Sequence, residues 1–244
     1  MRLSEPVVLL HAFPLDSRMW DGLRPALGDR LVTPDLPGFG GAPPAGAEPD
    51  LDAAADSVLE TLDRLGVERT VVGGCSMGGY VAMALLRRAP ARVGGLVLVN
   101  TKASADTDEA RANRFAMADR VEADGIGRLA DDMLTTLLGP TTLERRPDVE
   151  TELRRLITDQ QPAAVAWAQR AMAARPDSFD ALREADVPAL VLRGTEDALI
   201  PGEESVALVK ALPRATFVEL PAAGHLAPLE VPGEVATALR NWLG

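Results

Sequence analysis

The chain has 244 residues, 47% hydrophobic and 25% charged, which suits one α/β domain carrying an insertion and argues against a disordered or membrane-embedded class. Acidic residues outnumber basic ones by 36 to 25, and the net charge of −11 disfavours nucleic acid and anionic membrane surfaces as partners. Cys75 is the single cysteine, so neither an internal disulfide nor a multi-thiolate metal centre is expected, and no apolar run approaches the roughly 20 residues of a membrane helix.

Residues 6–10, PVVLL, predict a buried strand that ends in His11-Ala12-Phe13-Pro14. This run is too short for a signal peptide, so a cytoplasmic protein is expected. Between Asp16 and Leu27, apolar Met19, Trp20, Leu23 and Leu27 recur at helical spacing. Leu31-Val32-Thr33 predicts a second strand, ending in PDLPGFG, and a Gly/Pro/Ala-rich loop runs to Pro49. Leu51, Ala55, Val58, Leu59, Leu62 and Leu65 form one face of an amphipathic helix closed by Gly66. A third strand over Thr70–Val72 leads into a glycine-rich turn and a helix over Tyr80–Leu86. A fourth strand, GLVLVN, covers residues 95–100.

From 103 to 186 the pattern changes. No strand is evident, and breaks at Gly125, Gly139-Pro140, Pro147, Pro162 and Pro176 predict several helices inserted between two strands. Strands return at 188–193 and 215–220, separated by a helix around Glu203–Leu212, and Val231–Leu243 closes the chain as a helix. Strands alternating with helices imply a mostly parallel sheet of about six strands, with functional groups at the carboxyl ends of the strands. Residues 1–102 and 187–244 are expected to form the core, and 103–186 a helical cap.

The turn after the third strand carries the chemistry. Gly74-Cys75-Ser76-Met77-Gly78 is a G-x-S-x-G sequence between a strand and a helix, the context of a nucleophile elbow that holds a serine in a strained conformation. A serine hydroxyl needs a base within reach, and the chain has two histidines. His11, at the end of the first strand, suits loop organisation. His225, in AGHLAPLE between the last strand and the last helix, suits the base. The base needs an acid, and Asp197 in RGTED follows the 188–193 strand; Glu196 beside it would point the opposite way, and Asp35 suits a loop-stabilising role. An oxyanion would be met by backbone N–H groups, one from Met77 and one from the loop after the first strand, at Phe13. Gly38-Phe39-Gly40-Gly41 lacks the Gly-Lys-Ser/Thr of a phosphate loop, no cluster has metal-ligand spacing, and no cofactor is expected.

With these residues in place, the chain resembles an α/β-hydrolase fold enzyme over essentially its whole length. HAFPLDSRMW, PDLPGFG, GGCSMGGYVAMALLRR, LVLVNTKASADTDEA and PAAGHLAPLEVP resemble the 3-oxoadipate enol-lactonase-like group of serine hydrolases. The resemblance implies that Ser76, Asp197 and His225 act as nucleophile, acid and base on a small ester or lactone, an enol-lactone among the options. Thioester or carbon–carbon hydrolysis, acyl transfer and perhydrolysis use the same residues, and a non-catalytic ligand-binding module is the alternative of another class. Two departures stand out: the usual His-Gly of the oxyanion loop is His11-Ala12, and the antiparallel hairpin that often opens the fold is expected to be absent. The 103–186 insert would roof the pocket, with Met117, Met133, Trp167 and Met172 as candidate lining and Arg114, Arg170 or Arg175 as candidate partners of a substrate carboxylate.

Overall fold

The computed structural model describes residues 6–44, 46 and 48–244. Six strands form one parallel sheet: β1 (Val7–Leu10), β2 (Leu31–Val32), β3 (Thr70–Cys75), β4 (Val93–Val99), β5 (Ala189–Gly194) and β6 (Ala215–Leu220), in the order β2-β1-β3-β4-β5-β6. A parallel sheet is covered on both faces, and the inner strands are accordingly apolar without alternation. Every residue of β1 is at most 1% exposed. Burial of each such Val or Leu contributes about 1.5–3 kcal/mol relative to exposure. Edge strand β6 differs, with Thr216, Phe217 and Glu219 exposed. Among the described residues no antiparallel strand joins the sheet.

The register aligns the carboxyl ends that matter. Leu10 pairs with Gly74, Cys75 with Val99, and Val99 with Leu192. The loops after β1, β3, β4 and β5 therefore leave the sheet side by side.

A 3-10 turn (Ser17–Leu23) and helices α1 (Arg24–Leu27), α2 (Leu51–Arg64) and α3 (Met77–Arg88) precede β4. The amphipathic 16–27 stretch is thus not one helix. Pro25 has no N–H to give the Asp21 carbonyl, so the chain closes the tighter Arg24 N–H to Asp21 bond instead. Strand β3 runs three residues further than its apolar run predicts. Gly73 and Gly74 continue it because the backbone is crowded there, a Cβ on Gly73 lying 2.1 Å from the Val97 carbonyl oxygen.

Between β4 and β5 lie α4 (Asp108–Asp124), α5 (Leu129–Leu137), α6 (Pro140–Arg145), α7 (Pro147–Thr158), α8 (Pro162–Ala174) and α9 (Phe179–Glu184). Pro140, Pro147 and Pro162 each open a helix at its first position, where the missing N–H has no partner to lose. Helix α4 packs on Ala-rich α8, and α5 on α7. Helix α9 instead packs on α3 and on α10 (Gly202–Ala211). Helices α11 (Ala227–Glu230) and α12 (Pro232–Leu243) close the chain against the 3-10 turn.

Candidate active site

Ser76 links β3 to α3 with φ 52° and ψ −112°, a region that a residue with a Cβ rarely occupies. Packing on both sides enforces it. A Cβ on Gly74 would lie 2.4 Å from the Gly78 carbonyl carbon, and one on Gly78 would lie 2.1 Å from the Leu10 carbonyl oxygen. The serine is held at its N–H by the Val99 carbonyl (3.0 Å), and its own carbonyl accepts from Thr101 Oγ1 (2.8 Å). Met77 N–H stands at the first position of α3, where no helical carbonyl one turn back is present to accept it.

His225 is 1% exposed. Its Nδ1 lies 3.0 Å from Asp197 Oδ2 and 3.1 Å from Oδ1. An ionised carboxylate only accepts, so Nδ1 carries the hydrogen and Nε2 is left as the acceptor. Asp197 Oδ1 also accepts from the N–H groups of Leu199 (2.9 Å) and Ile200 (3.0 Å), which fix its plane. Glu196 turns away, as its sequence position predicts, and accepts from Thr141 N–H at 2.9 Å.

The two histidines occupy different environments. His11 Nε2 accepts from Leu36 N–H (2.9 Å) and its Nδ1 faces the Ala12 carbonyl (3.1 Å). Complete burial pushes its imidazole below the ordinary value, only partly offset by the Ala12 hydrogen bond and by Asp35 and Asp16. It is a neutral brace between β1 and the 34–41 loop. Asp35 has a matching role, accepting from Ser17 N–H (2.8 Å) and Gly41 N–H (2.9 Å).

Ser76, His225 and Phe13 line one cavity of about 350 Å³ between the strand ends and helices α4, α5 and α8. Met117, Met133 and Met172 line it too, with Leu137, Leu199 and Ile200. Trp167 does not; its Nε1 donates to the Gly46 carbonyl at 3.1 Å. A larger cavity of about 690 Å³ lies between β6 and α12. Among the described residues it is lined by no histidine, cysteine or serine, whereas Ser76 and His225 both line the smaller one.

Polar groups gather on one wall of the smaller cavity. Asp106, with a side chain 1% exposed, is bonded by Arg175 (2.8 Å), Arg114 and Lys102 (3.2 Å). Burial alone would raise its carboxyl; the hydrogen bonds from Arg175 and Arg114 outweigh this and hold it well below the usual carboxylate range. Lys102 and Arg114 themselves face the cavity. Three cations thus meet one anion, in a chain of net charge −11. Arg170, by contrast, pairs on the surface with Glu122 and Asp119.

Three residues of this region carry no motif and were not singled out for a role in the sequence. Asn100, at φ 44° just after β4, donates from Nδ2 to the carbonyls of Gly224 (2.6 Å) and His225 (2.8 Å) and accepts at Oδ1 from Gly194 N–H (2.8 Å). Glu230 is 2% exposed, and its carboxylate accepts from backbone N–H groups and a threonine hydroxyl. Lys102 follows β4 by three residues, and its position directly beyond a strand end was the available signal. Cys75 is fully buried, with Sγ 3.5 Å from the His225 carbonyl oxygen; burial, then the Asp197 and Glu230 charges, push its thiol well above the ordinary value.

A parallel sheet, a strained serine at a strand-to-helix turn and a buried histidine–carboxylate pair over one cavity define an α/β hydrolase of the esterase type. The sequence profile of the family described as alpha/beta hydrolase fold matches residues 5–232, and the chain belongs to that family. It is 32% identical to a pimeloyl-[acyl-carrier protein] methyl ester esterase of Aromatoleum aromaticum, over 96% of each chain. Among solved structures it is similar to a thermophilic esterase from Thermogutta terrifontis described with malate bound, at 41% identity and TM-score 0.95, covering 98% of this chain and 89% of the other. It is also similar to the enol-lactonase from Burkholderia xenovorans LB400, at 27% identity and TM-score 0.89, covering 98% and 92%. Among the described residues no helix is long and apolar enough to cross a membrane.

Proposed function

We propose that the chain hydrolyses a small carboxylic ester or lactone through Ser76, His225 and Asp197. Ser76 Oγ attacks the carbonyl carbon while His225 Nε2 takes its proton. The tetrahedral oxyanion is met by the N–H groups of Met77 and Phe13. Collapse breaks the ester C–O bond, and His225 returns the proton to the leaving oxygen. Water, deprotonated by His225, then attacks the acyl-enzyme, and Ser76 leaves with the proton from His225. Asp197 keeps Nδ1 protonated and stabilises the imidazolium. The observation that carries this reading is the Asp197–His225 pair at 3.0 Å in the same cavity as a serine at φ 52°.

The cavity volume of about 350 Å³ suits a small substrate. The surplus of cations at Lys102, Arg114 and Arg175 favours one that carries a carboxylate, as an anionic enol-lactone does. The esterase described with malate bound and the enol-lactonase among the similar structures point the same way.

The test is kcat/KM for the wild type and Ser76→Ala against short p-nitrophenyl esters, lactones and enol-lactones, each with and without a free carboxylate. Hydrolysis abolished in Ser76→Ala and covalent labelling of Ser76 by a serine-directed phosphonate are expected. Full turnover in Ser76→Ala would end the proposal. A wild type that neither turns over nor labels would instead favour a ligand-binding module.

A further inference from the structure

Glu230 sits at an unusual junction. Its Oε2 accepts from Gly224 N–H (3.0 Å) and its Oε1 from Leu226 N–H (3.1 Å), the N–H groups of the two residues that flank His225. The same Oε2 accepts from Gly139 N–H (2.8 Å) and Thr142 Oγ1 (2.7 Å), at the joint between α5 and α6. All four partners donate, three of them backbone N–H groups that cannot accept, so the geometry favours an ionised carboxylate even though burial pushes this carboxyl above its ordinary value.

The two segments that share this carboxylate touch directly. A Cβ on Gly224 would lie 2.2 Å from Gly139 N, so neither backbone has slack to move alone. Leu226 N–H also reaches the Leu137 carbonyl at 3.2 Å, and Leu137 lines the cavity. On the opposite side of the loop, Asn100 holds the carbonyls of Gly224 and His225. The loop around His225 is therefore gripped by Glu230 through the N–H groups of Gly224 and Leu226 and by Asn100 through the carbonyls of Gly224 and His225. Of the two, only Glu230 also grips the roof of the cavity.

We propose that Glu230 is a positioning residue for His225, its one carboxylate fixing the N–H groups of the residues on both sides of the base and locking that loop to the α5–α6 joint. It does not touch the reacting atoms. The base and the roof above the acyl site share one anchor, so a shift of α5 is transmitted to the imidazole. The catalytic part of this assignment rests on His225 being the base; the positional part does not.

The chain has two histidines, which makes the readout simple. Glu230→Gln and Thr142→Val are compared with the wild type by ring resonances of 13C-labelled histidine and by kcat per active site titrated with a phosphonate. Thr142→Val keeps Glu230 and its two bonds to the His225 loop, and serves if Glu230→Gln does not fold. In Glu230→Gln the His225 resonance moves, that of His11 stays, and kcat per titrated site falls at least about 10-fold with KM within about twofold, the effect of misplacing a base by a fraction of an ångström. In Thr142→Val the His225 resonance moves by less. A Glu230→Gln protein that only melts earlier, with kcat per site and the His225 resonance unchanged, would overturn the assignment; an unmoved His225 in Thr142→Val would overturn the coupling to the roof. Should the wild type cleave no ester, the proposed activity fails while the resonances still decide the position of His225.

Discussion

Arg175 lies over the ring of Tyr80, its guanidinium carbon 4.0 Å from the ring centroid, while Nη2 reaches Asp106 at 2.8 Å. Tyr80 belongs to the helix that follows the serine, and Arg175 ends the helix that roofs the cavity, so a cation–π contact and a buried ion pair join the floor to the wall.

Asp106→Asn is therefore expected to destabilise the fold by about 3–5 kcal/mol, because Arg175 would keep a buried charge without its counterion. The acidity of Asp106 sets the pH window. Its folded value is depressed, so its contribution is complete above the ordinary 3.8 and is lost as pH falls toward the folded value. Urea titrations of both proteins should show a constant gap from pH 7 to 4 that narrows only in stronger acid.

Arg114→Met keeps much of the side-chain volume and leaves Asp106 paired with Arg175 and Lys102. If the cation surplus selects the substrate, kcat/KM for carboxylate-bearing esters should fall about 10- to 100-fold, the cost of about 1.4–2.8 kcal/mol in transition-state binding, with neutral esters nearly unaffected. Equal losses on both kinds of ester would remove Arg114 from recognition.

Asn100→Ala would strand two buried carbonyls and one N–H. The expected cost is about 2–4 kcal/mol, and the His225 loop should exchange its amide hydrogens faster than the rest of the sheet edge. Uniform exchange across the chain would place the loss elsewhere.

His11 makes a second pH prediction of opposite origin. Burial holds its imidazole below the ordinary 6.5, so the unfolded chain binds the proton first. Stability from this group is full above 6.5 and declines as pH falls below it. His11→Gln should have a flatter dependence of melting temperature on pH between 7 and 5 than the wild type.

The sequence made the fold and the strand-to-helix turn at Ser76 legible for local reasons. The elbow announces itself because its glycines stand at fixed spacing around Ser76, although Gly74 is required by nearby Gly78 and Gly78 by the distant Leu10 carbonyl, and apolar runs such as VVLL report burial without any partner being known. The supports were illegible because they act at long range. Asn100 gains its role only from loops more than ninety residues away, at Gly194 and Gly224. Asp106 gains its buried role only when Arg114 on α4 and Arg175 at the end of α8 fold against it. Pro25 shows the reverse case, a local signal masked by a strong apolar period and decisive in the structure.

Cys75 has a practical consequence. Alkylating reagents react with thiolate, and this thiol is fully buried with its pKa pushed up, so the native chain is expected to be silent to maleimides. A cysteine placed at Phe115, 46% exposed on α4, would then be the single reactive thiol, and a dye attached there would report movement of the roof with the unmodified protein as its own blank.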